Sequence, residues 1–413
     1  MKVGIDAVGI ERIAIAVRRS GPGFLDKAYT EAELAYCAGS AERLAGRWAA
    51  KEAVIKCFDG TGICFPRRRI EVLPNARGAP VVNLLGDTSG AVVELSITHH
   101  SGLALAAATM TLPGLTAAAA PLLRPPEALD LPDRPGDGHK GSFGTVVVLA
   151  GSRGLTGAAY LSATAAARSG AGLVRLLVAE SIYPILATKC AEVMATPVPE
   201  VAPGAVGHLA HEVVARHFQG ARGALVGPGL GRDSSTWRLV NDLVLEVASP
   251  MVVDADGLNA LADNRRILGR LPPGRVLTPH PGEMARLTGA TVAADRAGRR
   301  ELAARAARDW KAVVVLKGAH TIVAAPDGAV SEDPHEVPAL ATGGTGDVLG
   351  GLIAGLLAQG LEPFTAAVSG VYIHAEAGRR VATRLGDAGL LASDLLEEIP
   401  VIQKLLREGR VER

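Results

Sequence analysis

The sequence predicts an α/β protein: a parallel sheet covered by helices on both faces fills its C-terminal two thirds, and a separate compact region precedes it. Three observations predict this. At 413 residues the chain exceeds what one ordinary hydrophobic core organises. Residues 111–138, TLPGLTAAAAPLLRPPEALDLPDRPGDG, hold six prolines and no hydrophobic period, which is linker composition. Beyond them the apolar runs GTVVVLAG, GLVRLLVA, ALVGPGLG, PMVVDADG, RVLTPH and AVVVLKGA each precede an amphipathic or alanine-rich segment. Unbroken apolar strands alternating with helices are the pattern of a sheet buried on both sides. The expected domains are 1–110 and 139–405, joined by 111–138.

Composition narrows the function. Apolar residues make up 48% and charged residues 21%, which is globular rather than disordered material. A net charge of +1 gives no reason to expect nucleic acid or a membrane surface as partner. Gly102–Leu123 is uncharged and long enough to span a bilayer, but Pro113 and Pro121 interrupt it, so a strand running into a linker is expected. The opening MKVGIDAVGIER carries Asp6, Glu11 and Arg12 where a secretory leader needs an apolar core. Cys37, Cys57, Cys64 and Cys190 have no metal-ligand or CxxC spacing, so reduced thiols in a cytoplasmic protein are expected.

Taken in chain order, the first element is a short apolar VGI ending at Asp6. Residues 42–58, which overlap the stretch RLAGRWAAKEAVIKCFDGTGI, read as a helix ended near Gly60, with Leu44, Trp48 and Ile55 on its apolar stripe. Glu52 lies beside that stripe. It is read either as a surface pair with Lys56 or, if Asp6 meets it, as half of a Mg²⁺ site completed by water and a diphosphate.

In the C-terminal part the polar clusters fall where strands end, the side of an open α/β sheet on which ligands collect. DADGLN (254–259) follows PMVV, TPHPGE (278–283) follows RVL, and KGAHT (317–321) follows VVVL. The sharpest cluster is ALATGGTGDVLGGLIAGL (339–356). There Gly343, Gly344 and Gly346 free backbone N–H groups to face an anion at a helix N-terminus. Asp347, among those donors, is read either as the helix N-cap or as the base that takes a proton from a hydroxyl attacking phosphorus.

These stretches, with HKGSFGTVVVLAGSRGLTGAAYLSATAAARSGAGLVRL and GPGLG, resemble the ADP-dependent NAD(P)H-hydrate dehydratases over 139–400. The resemblance implies a ribokinase-like α/β sandwich. It also implies phosphorylation, by ADP or ATP, of the hydroxyl on hydrated NADH or NADPH (NADHX, NADPHX), whose elimination restores the reduced cofactor. Asp347 would be the base, while Gly346 and Lys317, Gly318, Ala319, His320 and Thr321 would hold the adenine nucleotide. Ala158, Gly229 and His280 would line the hydrate pocket, with Asn259 and Glu283 behind them or at a metal-bound phosphate.

Residues 1–110 resemble holo-[acyl-carrier-protein] synthase, a small α+β phosphopantetheinyl transferase, through GIDAVGIERI, GRWAAKEAVIK, GTG and SITH, in that order. That family moves phosphopantetheine from coenzyme A to a serine of acyl carrier protein. The resemblance implies that Asp6 and Glu52 ligate Mg²⁺ and that Arg47, Lys56 and His99 meet coenzyme A phosphates. Asp6, Glu52 and Lys56 form the expected catalytic set, and Arg12 matches a carrier-docking position. Gly9 departs from the pattern by replacing a carboxylate, and THH doubles the histidine at 99–100. The chain is therefore expected to be a bifunctional homo-oligomer. The alternative is a small-molecule, vitamin-precursor kinase whose N-terminal domain serves only in oligomerisation.

Overall fold

The computed structural model describes residues 2–58, 65–86, 90–111 and 129–409. The chain divides into two compact units, Met1–Leu122 and Leu123–Arg413, and the division falls within the proline-rich segment. Each unit has its own hydrophobic core. No helix among the described residues is long and apolar enough to cross a membrane.

In the N-terminal unit, strands Lys2–Gly9, Leu103–Thr111 and Val92–His100 form an antiparallel sheet in that order. Helix Ala41–Cys57 packs on it, started by Ser40, whose Oγ accepts the Arg43 N–H. The helix lies so close to the first strand that a Cβ at Gly4 would overlap the Ala53 carbonyl oxygen. That proximity corrects the expected stripe. The buried face is Leu44, Ala45, Ala49, Ala50, Ala53 and Val54, because small side chains permit the approach. Trp48 and Ile55 are only half-buried, on the same edge as Glu52. Beneath the helix, Lys51 and Glu33 form a fully buried ion pair at 2.6 Å. The Lys51 ammonium also donates to the carbonyls of Ala28 and Arg67, so its donors are satisfied. The helix ends at Phe58; Gly60, the GTG at 60–62 and Cys64 lie outside the described residues. Cys37, Cys57 and Cys190 are not in disulfides.

The C-terminal unit is built on one nine-stranded sheet. All six apolar runs are strands of it. Its order is Val330–Glu332, Ile322–Ala324, Val313–Leu316, Arg275–Leu277, Met251–Val253, Gly223–Val226, Thr145–Leu149, Leu173–Ala179 and Met194–Val198. The seven strands from Val313–Leu316 onward run parallel, and the first two form an antiparallel meander at one edge. Successive residues Val146, Val147, Val148 and Leu149 are all fully buried, so both faces of the sheet are covered. Helix Thr345–Ala358 packs against helix Thr156–Arg168 at a distance only glycine allows: a Cβ on Gly351 would overlap the Ser162 carbonyl, and one on Gly355 the Ser169 hydroxyl. Residues 129–134, inside the stretch read as linker, are fastened to this unit. Asp130 exchanges hydrogen bonds with Ser369, and Arg134 donates to the Gly170 carbonyl.

Candidate active site

Several strand ends of the C-terminal sheet deliver side chains to one place. Val253 ends in Asp254, which is 1% exposed, and Leu277 ends in Thr278. Leu316 ends in Lys317. Asp254 Oδ1 accepts from Lys317 Nζ at 2.8 Å and from Thr278 Oγ1 at 2.7 Å. Burial works against the Lys317 charge, but Asp254 and Glu283 outweigh it, so the ammonium is held more firmly than usual. A Cβ on Gly346 would stand 3.5 Å from Lys317 Nζ, which places the cation over the first turn of helix Thr345–Ala358.

Asp347 occupies the third position of that helix. Its N-cap is Gly344, in the left-handed region at φ 94°, so the reading of Asp347 as N-cap does not hold. Burial raises the Asp347 carboxyl to about 7, and the negative charge of Asp254 adds to the rise while Lys317 opposes it. A carboxyl that titrates near neutrality beside a fixed cation has the properties of a general base.

Of the residues expected to hold the nucleotide, Lys317, Gly318, Ala319, Thr321 and Gly346 line one cavity of 380 Å³. His320 does not line it; its Nδ1 lies 3.3 Å from the Asp333 carbonyl oxygen and its φ is 52°. The far wall carries His335 and His374, which sequence reading missed. His335 sits between Asp333 (2.9 Å) and Glu376 (3.4 Å). Burial would discharge it, but those carboxylates dominate and raise it to about 9. Burial lowers His374 to about 4, and its ring Nε2 is 2.8 Å from the Thr345 carbonyl oxygen. Neither has a sequence signal beyond lying near a motif.

On the other side, Gly229 (φ 63°) faces Ala158 closely enough that an added Cβ would come within 2.9 Å of the alanine methyl. His280 starts helix Pro281–Thr288, and its Nδ1 accepts the Gly282 and Glu283 N–H groups while Glu283 accepts the His280 N–H. Burial, then Lys317 and Arg286, keep His280 below its usual range. Burial raises Glu283 to about 7 despite Lys317 at 3.8 Å. Asn259 donates to Asp256 Oδ1 and accepts from Arg286.

In the N-terminal unit the Glu52–Lys56 surface pair, one of the two readings of Glu52, does not form. Lys56 Nζ donates to Asp6 Oδ1 at 2.9 Å and to the Ile5 carbonyl, while Glu52 pairs with Arg67, whose guanidinium lies over Trp48. Arg47 is turned inward, 6% exposed, with its guanidinium over Tyr36 and its Nε toward the Val72 carbonyl. That is a structural seat rather than an open phosphate contact. The strand alternation points His99 at the helix, its Nε2 2.8 Å from where a Gly46 Cβ would be, and leaves His100 outward. Arg12 is exposed. No group of three or more His, Cys, Asp or Glu suited to a metal occurs among the described residues. Asp6 and Glu52 offer hard carboxylate oxygens of the kind magnesium takes, but each is paired with a cation of its own, Lys56 and Arg67 respectively.

Comparison with known proteins agrees with this division. A family model described as NAD(P)H-hydrate dehydratase matches residues 146–401, and one for the 4'-phosphopantetheinyl transferase superfamily matches residues 2–108. A bifunctional NAD(P)H-hydrate repair enzyme of Moorella thermoacetica is 47% identical over 278 residues, covering 67% of this chain and 52% of its own length. This chain thus spans about half the length of that curated relative. An ADP-dependent (S)-NAD(P)H-hydrate dehydratase of Xanthomonas campestris is 37% identical, over 66% of this chain and 92% of its own. The crystal structure of an ADP/ATP-dependent NAD(P)H-hydrate dehydratase from Bacillus subtilis, co-crystallised with ATP and Mg²⁺, is 32% identical with a TM-score of 0.56. It covers 66% of this chain and 94% of that one. A ribokinase-like protein from Enterococcus faecalis aligns with a TM-score of 0.57 at 27% identity, over 66% of this chain and 91% of its own.

Proposed function

The chain belongs to the NAD(P)H-hydrate dehydratase family across residues 146–401, and from that premise we propose that its C-terminal unit restores hydrated NADH or NADPH at the expense of ADP. The observation that carries this reading is Asp347, raised to about 7 in the first turn of a helix whose Thr345 and Gly346 line the 380 Å³ cavity. Asp347 takes the proton of the substrate's ring hydroxyl as that oxygen attacks the β-phosphorus of ADP. AMP leaves, with Lys317 and the backbone N–H groups after Gly344 meeting the developing charge. The new phosphate ester is then a good leaving group. The ring nitrogen's electron pair expels it, and loss of a proton from the adjacent carbon restores the double bond. Ala158, Gly229 and His280 are assigned to the nicotinamide side, and Gly346 with Lys317, Gly318, Ala319 and Thr321 to the nucleotide side. Incubating the protein with enzymatically hydrated NADH, ADP and Mg²⁺ tests the reading. Recovery of the reduced-nicotinamide absorbance with release of AMP and phosphate supports it, and phosphorylation of a vitamin precursor without recovery favours an ordinary kinase. Running ADP against ATP in the same assay identifies the preferred donor.

For the N-terminal unit, the transferase family match over residues 2–108 supports transfer of phosphopantetheine from coenzyme A to acyl carrier protein. Asp6 and Glu52 would hold Mg²⁺, which when bound neutralises diphosphate charge. Lys56, already against Asp6, orients that carboxylate and adds a cation beside the phosphates. His99 and the exposed Arg12 are assigned to coenzyme A and to the carrier. Val3 and Ile5, 58% and 61% exposed on the sheet face away from the helix, support self-association through this unit. Mg²⁺-dependent transfer of labelled pantetheine to a purified carrier protein is the test. No transfer would leave the unit as an assembly module.

A further inference from the structure

Beside the hydrate-side residues lies a second groove, of 390 Å³, lined by Arg232, Trp237, Asn259, Arg265 and Arg286 with Asp263 as its one carboxylate. Nothing in the phosphoryl-transfer chemistry above uses it. Its arginines are exposed, yet the frame that carries them is tied tightly to the turn bearing Gly229. Trp237 Nε1 donates to the Gly231 carbonyl at 3.2 Å, and the Gly231 N–H donates to Asp256 Oδ2 at 2.8 Å. Asp256 in turn accepts from Asn259, whose carbonyl holds Arg286 Nε at 3.0 Å. The same Arg286 reaches toward the His280 cap, its Nη1 3.8 Å from where a Gly282 Cβ would be. The groove therefore begins where the nicotinamide side of the site ends.

A hydrated dinucleotide is more than its nicotinamide. Its diphosphate and second nucleoside must leave the pocket at Ala158, Gly229 and His280, and the reading above already assigns the 380 Å³ cavity to ADP. Guanidinium groups match phosphate oxygens in pairs, and an indole face suits a purine ring. We infer that the Arg232–Trp237–Arg265–Arg286 groove holds the diphosphate and adenosine half of the hydrated dinucleotide. This inference rests on the repair reading of the adjoining site.

Two measurements on the full-length protein separate the inference from that reading. Equilibrium binding of NADPH, the stable product, is compared between wild type and R232Q/R265Q. The double variant is expected to bind it more weakly by about tenfold or more, as loss of charged phosphate contacts implies. In the repair assay, hydrated NADPH is compared with the hydrate of reduced nicotinamide mononucleotide, which lacks the second half. Wild type is expected to prefer the dinucleotide in kcat/KM, and R232Q/R265Q to lose most of that preference. Equal NADPH affinity in wild type and variant, or a preserved preference, overturns the inference. Arginine-dependent NADPH binding by a wild type that repairs neither hydrate would uphold the groove and overturn the dehydratase reading instead.

Discussion

At Asp347 two forces act in one direction, since burial and the Asp254 charge both disfavour ionisation, and Lys317 only partly offsets them. The base form therefore accumulates as pH rises through about 7. The rate of hydrate repair should climb through that value, and Asp347→Asn should lose about 10²–10⁴-fold in kcat while still binding ADP. Stability should move the other way. A carboxyl whose folded pKa is raised stabilises fully below its unfolded value and loses that contribution as pH rises through the folded one. Asp347→Asn should thus be more stable than wild type above about pH 8, by on the order of 1–3 kcal/mol, reduced from the full shift because the carboxylate retains some water. A variant with wild-type turnover would remove Asp347 from the chemistry. His335 gives the complementary case. Burial opposes its charge, but Asp333 and Glu376 raise it from 6.5 to about 9, so its contribution is complete below about pH 6.5 and fades as pH rises through about 9. Melting temperature in wild type should fall across that window. His335→Gln should flatten the fall and raise KM for ADP, since the same imidazolium fixes the cavity wall.

The elements show which parts of this architecture a linear reading can reach. Every apolar run of the sheet was legible because strands buried on both faces carry no polar alternation to blur them. The edge strand Met194–Val198 was not, because MATPV contains a proline and is mostly exposed or half-buried. The meander strands Ile322–Ala324 and Val330–Glu332 are three residues each, too short to show a period. In the site, the motif ends located Lys317 and Asp347, since strand ends and a glycine loop are local signals. The Lys51–Glu33 and His335–Glu376 pairs were invisible because their partners come from distant segments. The glycines of 339–356 prove to be of two kinds, a distinction the motif alone does not make. Gly344, at φ 94°, caps the helix and Gly346 leaves room for Lys317 Nζ, whereas Gly351 and Gly355 serve helix packing. Gly351→Ala should therefore cost about 1–3 kcal/mol in denaturant unfolding of the C-terminal unit, without a pH signature, because a backbone carbonyl must move. An unchanged midpoint would mean that the helix pair slides freely.

For the molecule as a whole, what matters is that two separate cores share one chain, each carrying residues proposed above for phosphate chemistry. The buried ion pair Lys51–Glu33 and its sheet stabilise the first unit, and the doubly covered nine-stranded sheet stabilises the second. Each core is built from its own unit's residues alone. Ligands binding only the folded form of one unit should therefore raise only that unit's transition, by about 2.7 kcal/mol at a hundredfold excess over Kd. Calorimetry of the full chain should resolve two transitions, one raised by ADP and the other by coenzyme A with Mg²⁺. Cleavage within 112–128 should leave both ligand-induced shifts in place. If ADP raised both transitions equally in the intact chain and only one after cleavage, the units would be coupled, and the fusion would have a regulatory consequence. If coenzyme A raised neither, the phosphate-binding roles proposed for Asp6, Glu52 and Lys56 would be without their ligand, while the assignment of Asp347 would stand untouched.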